Sequence, residues 1–323
     1  MKAVVVGEAG AELRVVATPN FGPEEVLIRV RAAALNRTDV LMAAGHKHGE
    51  TGGPGTILGA ECAGDVIAVG HAVTGIKTGD RVMCSCKAAF AEYAVADMGR
   101  VHQIVSDRVT YASAATLPVA LQTMHNAVVT AGRLKPGETI LVQGASSGVG
   151  LAALQIAKLS RAALVIGTST NAGKLAKLAN FGADIAISTR DPQWVDRVLN
   201  ATGGAGVDLI IDQISGGVAN GNLRATKVLG RIVNVGRLGG FTGDFNFDLH
   251  AERRIDYIGV TFRTRGLDEI REVNSLMRKD LWSFVEAGKI TIPIYSQFRI
   301  DDAVSALDIM AKNLHFGKII INI

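Results

Sequence analysis

Between residues 139 and 159 an aliphatic strand, Thr139–Val142, runs through Gln143-Gly144-Ala145-Ser146-Ser147-Gly148-Val149-Gly150 into a helix, Val149–Leu159, whose apolar residues fall at helical spacing. This passage constrains the fold more than any other. Small residues in such a turn let the chain reverse tightly, bring backbone N–H groups to a pyrophosphate and pack the helix closely on the sheet. The G-x-G-x-x-G spacing is not literal. Over 145–150 the first two glycine positions are Ala145 and Ser147, and only Gly150 stands.

The same alternation continues on both sides. Strands are predicted at Leu164–Ile166, Asp184–Ile187, Val207–Ile211, Arg231–Val235 and Asp256–Phe262. Between and after them come helices at Lys174–Phe181, stopped by Gly182, from Asp191-Pro192 to Leu199, and at Leu267–Ala287. Strands alternating with helices mean parallel βαβ units. Residues 1 to about 118 read differently, as short β segments broken by glycine: Lys2–Val6, Glu25–Ala34, Ala63–Val69, Asp80–Cys84 and Ala91–Val95. The tail from Ile294, with a helix to Leu314 and a strand Lys318–Ile323, is expected to return to this first part. The fold class is therefore α/β, with a β-barrel-like domain from 1–118 and 290–323 and a doubly wound parallel sheet from 119–289. The 37 glycines against 7 prolines suit short turns between aliphatic elements.

Composition removes several function classes. No apolar run approaches the roughly 18 residues of a membrane span, Met1–Val6 reads as a strand, and the expectation is a cytoplasmic protein without membrane partners. The net charge of +4 is spread along the chain without a basic run or interleaved aromatics, so no nucleic-acid partner is expected. Three cysteines, Cys62, Cys84 and Cys86, are too few for a disulfide framework or a four-thiolate zinc site and read as reduced thiols.

A site for NAD should carry an acidic residue about 20 positions after the turn to hold the ribose 2′-hydroxyl. Between Glu138 and Asp184 there is no Asp or Glu, whereas Lys158, Arg161, Lys174 and Lys177 fall in that window. Thr168, Ser169, Thr170 and Asn171 end the second strand, and Lys174 follows one helical turn later, a set suited to a 2′-phosphate. NADPH is the expected cofactor, with Ser146, Ser147, Gly148 and Val149 at its pyrophosphate.

The motifs Ala34-Leu35-Asn36-Arg37-Thr38-Asp39, Gly59-Ala60-Glu61-Cys62-Ala63-Gly64, Val69-Gly70, Gly79-Asp80-Arg81-Val82, the Ser146–Gly150 turn, and Asn313 with Gly317-Lys318-Ile319 occur here in order. On them the chain resembles the medium-chain dehydrogenase/reductase superfamily, and within it the zinc-free quinone oxidoreductases. The resemblance implies a GroES-like catalytic domain, an inserted Rossmann domain, a cleft for NADPH and a homodimer joined along the edge strand at Asp256–Phe262. It implies that Asn36 orients cofactor or substrate, that Asp39 occupies a polar cleft position, and that Thr123, Gly236, Phe262, Arg263 and Asn313 line the cofactor. Zinc-dependent relatives carry Cys where this chain has Asn36 and His where it has Ala60, so no metal is expected. Glu61 is expected to hydrogen-bond the turn without a catalytic part. Where many quinone oxidoreductases carry tyrosine, this chain has Gly45-His46-Lys47-His48; either His46, Lys47 or His48 replaces it as proton donor, with Arg263 the alternative donor to an enolate or thioester oxygen, or this stretch is an exposed polar loop.

Hydride can reach an acceptor that is already electrophilic without a Lewis acid. The expected activity is NADPH-dependent reduction of a quinone or an enone, with two alternatives: reduction of a 2-enoyl thioester, or NADPH binding with little turnover.

Overall fold

A computed structural model describes residues 1–49, 51–106 and 108–323. The chain divides into two compact units, Met1–Gln122 with Phe262–Ile323, and Thr123–Thr261. Among the described residues no helix is long and apolar enough to cross a membrane.

The first unit contains β1 (Lys2–Gly7), β2 (Gly10–Val15), β3 (Glu25–Ala34), β4 (Glu61–Val69), β5 (Arg81–Ser85), β6 (Tyr93–Asp97) and β7 (Val101–Gln103). The second holds β8 (Thr139–Val142), β9 (Leu164–Ser169), β10 (Ile185–Ser188), β11 (Val207–Asp212), β12 (Thr226–Asn234) and β13 (Asp256–Gly259). The chain then returns to the first unit with β14 (Ile294–Arg299) and β15 (Lys318–Asn322).

In the first unit a sheet runs β14-β15-β3-β4-β5-β7, with β6 paired to β3. β3 is the spine because its alternating residues Val26, Ile28 and Val30 are buried while it pairs with β4 on one side and with β15 and β6 on the other. In the tail, β15 lies antiparallel to β3, Ile320 opposite Ala34. The core between the faces is apolar, around Ile28, Leu35, Leu58, Phe90 and Ile319.

The second unit has strand order β10-β9-β8-β11-β12-β13, every pair parallel. The central strands β8 and β11 are aliphatic and buried on both faces, as strands covered by helices must be. β13 closes one edge with mostly exposed residues.

Three sequence expectations need correction. The helix predicted at Leu267–Ala287 forms over Leu267–Glu286, but it belongs to the first unit, so the boundaries 118 and 289 move to 122 and 261. The cause is a set of contacts that periodicity does not reveal. Arg271 donates to both carboxylate oxygens of Asp97 at 3.0 and 2.6 Å and to Glu24 at 2.8 Å, and Asn274 meets His102 and Gln122 at 3.2 Å each. Second, the stretch Lys174–Phe181 is not one helix. It is a single turn, Ala172–Leu175, then a 3-10 turn, Leu178–Phe181, ended by Gly182 at φ +99°. Third, the edge strand stops at Gly259, short of Phe262.

Candidate active site

In the first unit β3 ends at Ala34, and Asn36 in extended backbone starts the helix Arg37–Ala43. Its amide is held at both ends. Nδ2 donates to Glu61 Oε1 at 2.9 Å and to the Ala34 carbonyl at 3.3 Å, while Oδ1 accepts from Lys318 Nζ at 2.7 Å. Lys318 also pairs with Glu61 and donates to the Leu35 carbonyl at 3.3 Å. Glu61 Oε2 accepts the Val119 N–H at 2.8 Å. Glu61 is fully buried and Lys318 is 3% exposed. Glu61 thus does more than hold a turn: it compensates a buried lysine, and the pair sets the Asn36 rotamer. Both Nδ2 hydrogens are used internally, so what Asn36 offers a ligand without breaking this network is the remaining lone pair of Oδ1.

Asp39 departs from its expected place in a polar cleft. It is fully buried, accepting the Asn36 N–H at 2.7 Å and the Gly59 N–H at 3.1 Å, so it positions the start of the helix. Burial pushes its pKa up from 3.8 to about 7 against the opposing effect of those two N–H groups. A carboxyl whose folded pKa lies above its unfolded one contributes stability that is complete below the unfolded value and is lost as pH rises through the folded value. Relative to Asp39→Asn, the wild type is therefore expected to lose a few kcal/mol between about pH 4 and pH 7. Urea midpoints of both proteins across that range check this; a difference that does not change with pH would refute it.

His46 is exposed in the turn after this helix, its N–H bonded to the Leu41 carbonyl at 3.0 Å. The same turn reaches Arg263: a Cβ on Gly49 would lie 3.0 Å from the Arg263 carbonyl oxygen. The structure therefore brings the His46 loop and exposed Arg263 into one neighbourhood. Phe262 precedes it, with the Arg265 guanidinium 5.5 Å from its ring centre. Asn313, in left-handed backbone at φ +55°, accepts from Arg37.

In the second unit the turn after β8 is built as its small residues require. Ser147 caps the helix Gly148–Leu159, its Oγ accepting the Gly150 N–H at 3.1 Å. A Cβ on Gly150 would lie 2.7 Å from both Ala145 Cα and the Gly144 carbonyl oxygen, so the glycine retained from the fingerprint is the one that close helix packing demands. Gly148 and Val149 form the first helical turn, whose free N–H groups favour an anion. Ser146 Oγ lies 3.1 Å from Ser169 Oγ, linking the turn to the end of β9.

Thr168 was expected as a cofactor donor, and the structure corrects this. The residue is 1% exposed, and its hydroxyl donates to Gln143 Oε1 at 2.7 Å and accepts the Gly144 N–H at 3.1 Å, so it braces the turn from behind. Asn171 caps the next turn by accepting the Lys174 N–H at 3.0 Å, and Lys174 is half-buried, with its pKa lowered by burial. Thr123 is half-buried in the helix Pro118–His125. Gly236 sits where a Cβ would meet the Gln213 carbonyl oxygen at 2.6 Å.

Sequence reasoning missed the buried polar residues at the strand ends. Gln143 donates to Asn222 at 2.8 Å, Gln213 donates to the Gln143 carbonyl at 3.0 Å, and Ser147 Oγ reaches Gln213 Oε1 at 3.0 Å. Asp212 takes the Ile214 and Ser215 N–H groups at 2.8 and 2.9 Å. The available signal was that the aliphatic runs ending at Val142 and Ile211 each continue into Gln or Asp-Gln, polar groups that burial obliges to pair.

A catalytic zinc does not fit these donors. Asn36 presents a committed amide, Ala60 has no donor, and the Glu61 carboxylate is neutralised by Lys318. A dinucleotide does fit the second unit, whose turn presents a capped helix start, paired serines and close-packed glycines.

Residues 22–107 match the family "Alcohol dehydrogenase GroES-like domain" and residues 148–279 match "Zinc-binding dehydrogenase". Over 306 residues, 93% of the chain, the sequence is 30% identical to a phenolphthiocerol/phthiocerol polyketide synthase of Mycobacterium tuberculosis, and it spans only 14% of that protein's length. The structure resembles a quinone oxidoreductase of Pseudomonas syringae pv. Tomato DC3000, with a TM-score of 0.87 and 26% identity, covering 100% of this chain and 99% of that one. It also resembles an NAD-dependent alcohol dehydrogenase, with a TM-score of 0.86 and 28% identity over 100% of both chains. With family models matched over both its N-terminal and its nucleotide-turn segments, the chain belongs to the medium-chain dehydrogenase/reductase superfamily.

Proposed function

We propose that the chain is an NADPH-dependent reductase that adds hydride to an acceptor already electrophilic, a quinone or an α,β-unsaturated carbonyl. The observation that carries this reading is the donor set at Asn36, Ala60 and Glu61, which cannot supply a Lewis-acid metal to polarise an ordinary ketone or alcohol. The nicotinamide, when bound, supplies the hydride. The chain's own residues orient and neutralise: Asn36 Oδ1 accepts one hydrogen bond, Arg263 faces the developing oxyanion, and His46 on the adjoining loop returns the proton.

The second reading, reduction of a 2-enoyl thioester, is favoured by one specific finding. A protein named as a polyketide synthase matches 93% of this chain within 14% of its own length. The two readings share the same hydride step and differ in the acceptor.

The test is oxidation of NADPH and of NADH by an ortho-quinone, an enone and a 2-enoyl thioester, with and without a strong chelator. Turnover of the quinone or enone that ignores the chelator is expected; turnover confined to the thioester would move the assignment to the second reading, and activity on simple alcohols lost to the chelator would overturn both. For the cofactor, Lys174→Ala is expected to weaken NADPH binding by roughly 10- to 100-fold, the loss of one charge-assisted hydrogen bond, and to leave NADH binding unchanged. Titrations of both cofactors against both proteins check this, and equal losses for the two would refute the role of Lys174.

A further inference from the structure

The register of the first unit gathers its three cysteines. β4 and β5 are antiparallel with Cys62 directly opposite Cys84. Cys86 follows two residues after Cys84, so it points to the same face, and its N–H bonds the Ala60 carbonyl at 3.0 Å, extending the ladder past the end of β5. All three side chains therefore enter the core together. Cys62 Sγ lies 3.6 Å from Cys84 Sγ and 3.7 Å from Cys86 Sγ, and all three sulfurs fall within 4.8 Å of one another. The thiols are free, and their residues are 0%, 0% and 3% exposed.

We infer that Cys62, Cys84 and Cys86 form a three-thiolate site for a thiophilic closed-shell cation, monovalent copper, inside the barrel. Metal–sulfur bonds of about 2.3 Å at tetrahedral to trigonal angles place the sulfurs ~3.8–4.0 Å apart, so the Cys62–Cys84 and Cys62–Cys86 pairs, at 3.6 and 3.7 Å, need to open by only a few tenths of an ångström. Soft thiolates select copper(I) or zinc. Three sulfurs complete copper(I), whereas a structural zinc takes a fourth ligand, and among the described residues no other Cys, His, Asp or Glu joins the group. Charge is partly met on the spot. Arg100 donates to the hydroxyl of Ser85, the residue between Cys84 and Cys86, at 3.2 Å, which brings a positive charge near the thiols. The ion would clamp β4 to β5 and to the turn after it. The site shares no residue with the hydride-transfer reading and does not depend on it.

The burial of the sulfurs makes entry into the folded protein slow, so the test loads metal during folding. The full chain is refolded anaerobically with one equivalent of copper(I), exchanged against a competing chelator, and compared with protein treated in the same way with zinc(II). The expected result is one copper retained per chain, an ultraviolet thiolate-to-metal charge-transfer band and three thiols protected from alkylation. Losing even an outer partner of a ligand costs about 10- to 100-fold in metal affinity, so Cys84→Ala and Cys86→Ala should each cost at least about a hundredfold while circular dichroism and NADPH binding stay unchanged. Copper stripped as readily from wild type as from the variants would overturn the proposal. Zinc retained in preference to copper would overturn it too, since that ion needs the fourth donor.

Discussion

Lys318→Met is expected to lower the stability of the first unit by about 3–5 kcal/mol, the cost of leaving one member of a buried ion pair uncompensated. Lys318 and Glu61 are both out of water, and the lysine ammonium also bonds Asn36 and the Leu35 carbonyl. With methionine at 318, the Glu61 carboxylate keeps the Asn36 and Val119 N–H groups as partners but loses its counter-charge. The double variant Glu61→Gln/Lys318→Met removes the charge as well as the partner, and it should recover most of the loss. Urea unfolding of the wild type, the single and the double variant checks this, and a single-variant cost under about 1 kcal/mol, the size of an exposed pair, would refute it. A separate consequence concerns function. Without Lys318 the Asn36 amide is no longer fixed at Oδ1, so the double variant, though stable, is expected to turn over more slowly with an unaltered affinity for NADPH.

Gly150→Val is expected to weaken cofactor binding by roughly 10- to 100-fold while the first unit keeps its stability. The added Cβ would stand 2.7 Å from the Ala145 backbone and from the Gly144 carbonyl, closer than real side chains approach, and backbone on both sides cannot yield without moving the helix away from the turn. Overpacking of this kind costs about 1–3 kcal/mol, which at the pyrophosphate turn is roughly 10- to 100-fold in affinity. Gly236→Ala, with its Cβ 2.6 Å from the Gln213 carbonyl oxygen, should do the same from the other side of the same strand ends. Cofactor titration by protein fluorescence, beside thermal unfolding, separates a lost site from a lost fold. Binding within twofold of wild type in Gly150→Val would show that the turn does not need to be this close.

Much of this site could be read before any coordinates. The small-residue turn ending at Gly150, and Asn171 ahead of Lys174, are local features set by residues within a few positions of one another, whereas the capping role of Ser147 came with the structure. The strand-and-helix alternation of 139–261 is equally local, because hydrophobic period is set residue by residue. The misreadings share a cause as well. Thr168 and Asp39 belong to the right motifs, but the sequence does not say toward which side a hydroxyl or carboxylate turns, and both turn inward to satisfy backbone N–H groups. Gln143 and Gln213 went unnoticed because their roles exist only when β8 and β11 lie side by side.

What the sequence determined by itself is therefore the strand-and-helix alternation around the nucleotide turn, the turn itself and the lack of an acidic residue at the end of β9, since these rest on neighbours in the chain. Tertiary structure alone decided which unit the helix Leu267–Glu286 covers, how Lys318 reaches Asn36 across 282 positions, and that three cysteines on two strands meet in one core. The physical reason is register. Contacts between distant residues depend on how strands align and which faces are buried, and a single-residue slip in β4 or β15 would carry Cys62 or Lys318 to the opposite face.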